Sequence, residues 1–511
     1  MSFFSILHPG SADGLPHYLA REPDYFRDLN LDQIVATLTA GRDAYDLKPF
    51  FQTPLDALDA IAYRQEVMRD VARRSTGDLV RAFGARMVRM RETATLAAKL
   101  HYRYQKARWF ADAVEIYCEA TQDLCDGLAA DRPASRGLNA LLGYLQSITA
   151  SPPFRSLVKE ARLLKAGLAA VRYDLLIRDA SIAVRRRGPE ADYTEDVEET
   201  FQRFRVGDVS AQAFKLPDYA EMNHIEAGIL DRVALLYPKM FHELLAYAER
   251  NADYADARIL AFDREIQFYL AYVDQMERMA VAGLPFCYPE VLSDSKSVRC
   301  EETFDLALAI KLVGENQPIV GNDFHLDGAE RIFVVSGPNQ GGKTTFARAF
   351  GQLHFLASLG CPVPGKAAQV FLFDRIFTHF EREESIHDLR GKLQDDLVRM
   401  HDILRDATPR SVVIMNEIFT STALRDAIIL GRKVLRKIID LDALCVCVTF
   451  IDELATLGQK TVSAASTVVP RDPASRTYKI VRKPPDGRAY AVAIAQKYHL
   501  TYVDIRERLA S

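Results

Sequence analysis

The chain of 511 residues is short of several things that mark other kinds of protein. It has no excess of charge: 65 Lys and Arg against 69 Asp and Glu leave a net −4. That excludes a uniformly basic nucleic-acid coat and leaves local patches as the route to such a partner. No apolar run approaches the ~20 residues that cross a bilayer, so no membrane contact is expected. Residues 1–9 carry no positive charge ahead of a short apolar stretch, so they do not read as a secretory leader, and the expected location is cytoplasmic. The seven cysteines (Cys118, Cys125, Cys287, Cys300, Cys361, Cys445 and Cys447) are odd in number and never spaced C-x-x-C. A zinc or redox site is therefore not read, and burial as small hydrophobes explains them. No internal repeat of 20–50 residues is visible. What remains is the balance of a globular protein, 49% apolar and 26% charged. Its length favours about three domains.

The first ~285 residues read almost entirely as helix. Leu29, Leu31, Ile34, Val35 and Leu38 recur at helical spacing, and Pro54 sits where a helix carrying Leu55, Leu58, Ile61 and Ala62 would begin. Residues 78–119 and 226–283 read as long helices, of the kind that form levers or coiled hairpins. One stretch, 171–184, is β-rich with a turn expected at 178–180. Arg185, Arg186 and Arg187 follow it, then six acids within 190–199. Near residue 285 the texture changes. Short Val/Ile-rich runs at 331–336, 411–415 and 444–450 alternate with helical stretches, the pattern of buried parallel strands in an α/β domain.

The strongest local signal lies after the first of these runs. Gly337, Pro338, Asn339, Gln340, Gly341, Gly342, Lys343 and Thr344 satisfy G-x-x-x-x-G-K-[ST] between a strand and a helix. Glycines let backbone N–H groups wrap around phosphates without Cβ clashes. The following helix start adds partial positive charge. Lys343 should reach the terminal phosphates of ATP, and the Thr344 hydroxyl should ligate Mg²⁺. Asn416 and Glu417 end the 411–415 run, where nucleotide hydrolases of this type carry Asp-Glu. Glu417 can polarise an attacking water, and Asn416 can accept from a metal-bound water without supplying charge.

Residues 337–345 read GPNQGGKTT, which resembles the GPNMGGKST loop of the MutS family of DNA mismatch-repair ATPases. The resemblance continues through Asp374 to Thr378, Asn416-Glu417-Ile418, Asp426, and Thr449 with Glu453-Leu454. Weaker likeness runs over 30–285 and strong likeness over 318–455. It implies a mainly α core and lever region (1–285), with a small β-containing clamp-like insertion near 170–215, followed by an α/β P-loop ATPase domain (286–511). It further implies ATP and Mg²⁺ bound at 337–345, with Thr345 included, double-stranded or branched DNA as partner, and a homodimer. The chain begins almost at the helical core, with no room for the family's Phe-x-Glu mismatch wedge, so mismatch reading is not expected. Asn416 replaces the family's Asp, Phe450 its switch histidine, and Gly391-Lys392-Leu393 its Ser-Thr segment. Ile319 stands where an aromatic stacks on adenine. These departures put hydrolysis in question and leave a rival: a nucleotide-gated interaction protein with negligible turnover.

For DNA contact, residues 81–108 hold Arg81, Arg86, Arg89, Arg91, Lys99, Arg103, Lys106 and Arg108 against one Glu92. Such a helix either tracks a phosphate backbone or pairs its cations with acids of another helix. Both readings stand from sequence alone. Arg185, Arg186 and Arg187 would lie at the clamp tip.

Overall fold

The computed structural model describes residues 5–10, 18–19, 21–178, 181–188, 222–381, 391–469, 472–484 and 506. The acidic run 190–199 and most of the 170–215 insertion beyond its hairpin lie outside them. Among the described residues no helix is long and apolar enough to cross a membrane.

Helices dominate up to Val281: Leu31–Thr39, Leu58–Val71, Arg74–Lys99, Arg103–Asp131, Arg136–Ala150, Pro152–Ala169, His224–Leu236, Pro238–Arg250 and Ala257–Val281. The long 78–119 stretch folds as two helices that reverse at 100–102 and pack side by side. No Gly or Pro forces the break. The reversal buries Val80, Phe83, Met87 and Met90 together with Ala107, Ala111, Val114 and Tyr117, and a single straight helix would leave one of these faces in water. The 226–283 stretch divides at Pro238 and again before Ala257, where the Asp256 carboxylate caps the helix by accepting from the Arg258 and Ile259 N–H groups. The helix expected at Pro54 starts only at Leu58. Leu55 lies ahead of it outside the helix, with its N–H donating to the Ser358 carbonyl at 3.0 Å. The β-rich stretch is an antiparallel hairpin, β1 (Tyr173–Arg178) with β2 (Ser181–Arg186).

Beyond Val281 come the remaining strands: β3 (Phe286–Cys287), β4 (Glu290–Leu292), β5 (Val298–Thr303), β6 (Asn322–Leu326), β7 (Ile332–Ser336), β8 (Val363–Pro364), β9 (Ala367–Phe371), β10 (Ile376–His379), β11 (Val412–Asn416), β12 (Leu444–Val448), β13 (Thr461–Val469) and β14 (Asp472–Arg482). The main sheet runs β10-β11-β12-β7-β13-β14, parallel throughout except for the antiparallel edge strand β14. A second sheet, β4-β9-β5-β6, is mixed, and β3 pairs with β8. Strand alternation divides the main sheet's side chains between two cores. Phe333, Val335, Val412, Ile414, Leu444, Val446 and Val448 join the large core that also holds the Lys343–Ser358 helix and the N-terminal helices. Ile332, Val334, Val413, Met415, Cys445 and Cys447 pack with residues of the Lys392–Asp406 and Leu424–Leu441 helices. Helices thus cover both faces, and Cys445 and Cys447 lie on one side, fully buried.

The N-terminal residues 5–8 are threaded into the seam between these parts. Glu265 accepts from Ser5 Oγ at 2.9 Å and from the Ile6 N–H at 2.8 Å, while Tyr269 donates to the Ile6 carbonyl at 2.6 Å. Burial pushes the Glu265 carboxyl up to about 7 from an ordinary 4.5, against the opposing pull of these two bonds. A carboxyl raised by folding stabilises most when both states are protonated, so this contribution is complete below about 4.5 and is lost as pH climbs through about 7. The loss is on the order of 3 kcal/mol. Glu265→Gln should flatten that part of the profile. Urea unfolding at pH 5.5 and 8 should show a smaller stability difference for the variant than for the parent, and equal differences would refute the assignment.

Candidate functional site

The carboxyl ends of β7, β11 and β12 converge on one edge of the main sheet, and the residues singled out in the sequence meet there. Ser336 ends β7, residues 337–342 turn, and Lys343 opens the helix that runs to Ser358. The turn needs its glycines. Gly337 and Gly342 have φ of 113° and 88°, a region closed to most side chains. A Cβ on Gly337 would stand 2.7 Å from Ser466 Oγ on β13, and one on Gly341 would come closer still. Ser466 Oγ is buried and has no hydrogen-bond partner, so an orphaned hydroxyl lies against the loop.

Lys343 is only 4% exposed. Its ammonium folds back on the loop, donating to the Gly337 carbonyl at 2.8 Å and to Asn339 Oδ1 at 3.3 Å. The face of the Phe450 ring lies 4.5 Å from Nζ. Burial lowers the lysine below its ordinary value, and the nearby Glu417 carboxylate opposes that. Glu417 is pushed upward by burial and pulled back by Lys343. The two are mutual partners in a site partly shielded from water, where each supports the other's charge.

Thr344 donates from Oγ1 to Asn416 Oδ1 at 2.9 Å, which joins the start of the helix to the end of β11 across 72 residues of sequence. The next residue, Glu417, has φ 56° and Phe419 φ 60°. For residues with side chains this left-handed conformation is strained, and such strain collects where a group must point in one direction. The Glu417 N–H donates to the Val448 carbonyl at 2.9 Å, and that of Thr449 to the Val335 carbonyl at 3.0 Å. The ladder therefore fixes Glu417 and Thr449 relative to the loop. Thr345 is half-buried just inside the helix. Pro338 is buried, while Asn339 and Gln340 are exposed at the loop tip, with Gln340 at φ 59°.

Other sequence candidates fall elsewhere. Ile319 packs half-buried against the large core, and Gly391 precedes the Lys392–Asp406 helix with its Cα facing open space. The basic residues of 81–108 do not act as one surface. Arg86 is ion-paired with Asp123, Arg103 lies 4.0 Å from Asp231, and Arg89 and Lys106 are exposed without an ionic partner among the described residues. Arg81, Arg91 and Arg108 pair with Asp274, Asp263 and Asp112. At the hairpin, Arg185 lies 3.7 Å from Asp174, Arg186 donates to the Leu236 carbonyl and stacks on Tyr237, and Arg187 is exposed.

Two contributors escaped the sequence reading. Ser466 lies against the loop, and Arg476 on β14 donates from Nε to the Asn339 carbonyl at 3.2 Å. Both stand more than 120 residues downstream, and only the sheet order β7-β13-β14 brings them near. No local signal marks them.

Comparison with known proteins adds a lineage to this geometry. Residues 333–502 match the family model described as MutS domain V. The chain is 29% identical over 206 residues to Endonuclease MutS2 of Gemmatimonas aurantiaca, covering 39% of this chain and 25% of that protein. It is 28% identical over 218 residues to DNA mismatch repair protein MutS of Orientia tsutsugamushi, covering 41% and 24%. With DNA mismatch repair protein MutS of Thermotoga maritima the identity is 25% over 296 residues, covering 56% and 35%. In each case the matched part is about a third or less of the relative's length. Strand, loop and helix around Lys343 all fall within or at the border of the matched region, so it is this part of the chain that is similar to MutS domain V.

Proposed function

We propose that the chain is a MutS-like ATP-binding protein and a Mg-dependent ATPase, slow or stimulated by a partner, that engages DNA through its helical part in a nucleotide-dependent way without reading mismatches. Residues 1–285 form a core and lever region with a clamp-like insertion near 170–215, and residues 286–511 form a P-loop ATPase domain. The observation that carries this reading is the meeting of Lys343, Thr344, Asn416 and Glu417 at one sheet edge, with Thr344 Oγ1 and Asn416 Oδ1 at 2.9 Å.

The residues present suit Mg-ATP. The glycines keep the loop free of side chains, and the helix start adds its partial charge. Lys343 can exchange its carbonyl and amide partners for phosphate oxygens, a charge-assisted bond that is stronger than the neutral ones it replaces. Bound Mg²⁺ would supply charge neutralisation at the phosphates. Thr344 would hold it directly and Asn416 through water. Glu417, already aimed by its left-handed backbone, orients water for attack. Double-stranded or branched DNA and a second copy of the chain are the partners this reading assigns, and ATP state would move the levers. The protein acts in the cytoplasm.

Phe450 supports a second reading, nucleotide gating with negligible hydrolysis. Its ring is 52% exposed and apolar, so it offers no hydrogen bond to a developing charge, a kind of interaction worth on the order of 3 kcal/mol in other enzymes.

Three outcomes are expected. Lys343→Ala should abolish binding of a fluorescent ATP analogue, and Glu417→Gln should keep binding while lowering turnover by about 100-fold or more; binding retained in the first variant would sink the site assignment. Hydrolysis undetectable in the parent, and unrestored by Asn416→Asp with Phe450→His, would favour gating over turnover. Mobility shifts with duplex, branched and single-stranded DNA, with and without ATP, should show retardation at low salt; none on any substrate would remove DNA from the proposal.

A further inference from the structure

We infer that the solvent face of the Leu424–Leu441 helix is a docking surface for the phosphate backbone of duplex DNA, separate from the levers and independent of the nucleotide reading. This helix covers the main sheet with Ala427, Gly431, Val434, Leu435 and Ile438, all buried. The opposite face exposes Arg425, Arg432, Lys433, Arg436 and Lys437, with Asp426 and Asp440 as its acids. At 100° per residue the five cations fall within a single arc of about 140°. Among the described residues none of them meets a carboxylate or any other hydrogen-bonding partner.

The contrast with the levers is one of clustering: among the described residues Arg89, Lys99 and Lys106 are exposed there without an ionic partner, but they are spread over two helices and 17 positions. Arg81, Arg86, Arg91, Arg103 and Arg108 each face an aspartate. Binding a phosphate through them trades one ion pair for another and gains little. Four free cations within the six positions 432–437 have no such competitor, so each phosphate they meet releases a counterion at full effect. From Arg425 to Lys437 the helix spans about 18 Å, which matches about five phosphates of one strand at ~3.4 Å along a duplex axis.

Two other occupants fit less well. A protein partner needs a buried apolar anchor at the centre of its contact, yet between Arg432 and Asp440 every large apolar side chain is turned inward or half-covered. A membrane surface needs a continuous apolar stripe to insert. Here only Leu424 and Ile429, near the helix start, are exposed.

The test measures fluorescence anisotropy of the full chain with labelled 30-base-pair DNA and RNA duplexes between 50 and 200 mM NaCl. The variants are a helix set (Arg432→Gln, Lys433→Gln, Arg436→Gln, Lys437→Gln) and a lever set (Arg86→Gln, Arg103→Gln, Lys106→Gln). The helix set should weaken binding tenfold or more and reduce the slope of log K against log salt by about three to four. The RNA duplex is the comparison: the spacing argued above is that of DNA, so tighter binding of the RNA duplex would overturn the assignment. Thermal unfolding checks that the exposed substitutions leave the fold intact, and any one of the four as a single variant should already lower the slope by about one. Failure of the parent to bind either duplex at 50 mM, an unchanged slope in the helix set, or loss confined to the lever set would each overturn the inference. Binding to anionic vesicles or an acidic protein in place of duplexes would overturn it as well. Nucleotide binding is measured separately, so loss of one reading leaves the other standing.

Discussion

The buried guanidinium of Arg64 is the constraint on which the two halves of the chain depend. Its side chain is entirely sealed from solvent. It donates from Nε to the Leu7 carbonyl at 3.0 Å and from Nη1 to the Leu359 carbonyl at 3.2 Å, and it sits 5.2 Å over the Phe268 ring. One residue of the Leu58–Val71 helix therefore ties together the N-terminal segment, the Ala257–Val281 helix and the residue that follows the Lys343–Ser358 helix. Burying a cation is costly unless its donors are met, so these carbonyls cannot drift far without exposing a large penalty. Gly360 closes the arrangement. Its φ of 75° and a would-be Cβ only 2.6 Å from Arg64 Cβ leave space for no other residue.

That joint gives the Lys343–Ser358 helix two fixed ends. Its first turn carries Lys343 and Thr344 at the sheet edge, and its last turn abuts Arg64. Between them Arg348 donates to the Asp28 carbonyl at 2.9 Å, and Gln352 donates to the Leu29 carbonyl and Asp305 at 2.8 Å each. The helix is buried along nearly its whole length, and close-packed interiors shift as units instead of yielding gradually. A displacement at the loop is therefore delivered as a rigid motion to the helices around Arg64 and Glu265.

Much of the architecture was legible because its signals are local. Strands of Val and Ile bounded by polar residues appear where the sequence places them, and the glycine-lysine turn sits between strand and helix as its composition requires. The helical reading of the first 285 residues was right in type and wrong in continuity. The reversal at 100–102 and the delayed start at Leu58 are imposed by tertiary contacts, burial of Met87 and Met90 in one case and the Leu55 to Ser358 hydrogen bond in the other. The reversal leaves no Gly, Pro or cap to read, and at the other site Pro54 marks a start that the helix does not take. The same limit hid Ser466 and Arg476, which reach the loop only through sheet order. It also hid the pairing of the lever arginines, because a charge run in sequence says nothing of which carboxylates face it.

The chemistry of the site turns on what stands opposite Lys343. With Phe450 over it, the ammonium has an aromatic face on one side, carbonyls on another and the Glu417 carboxylate within electrostatic reach. An aromatic face attracts a cation but takes no proton and donates no hydrogen bond. Phe450 therefore helps hold Lys343 in the absence of phosphate and can give nothing equivalent to an anionic phosphate, whose charge it would only desolvate. A histidine there would exchange these preferences, weaker for the bare lysine and stronger for the anion. Under the proposed ATPase reading, Phe450 would leave Glu417 and a bound Mg²⁺ to supply what stabilisation a transition state received.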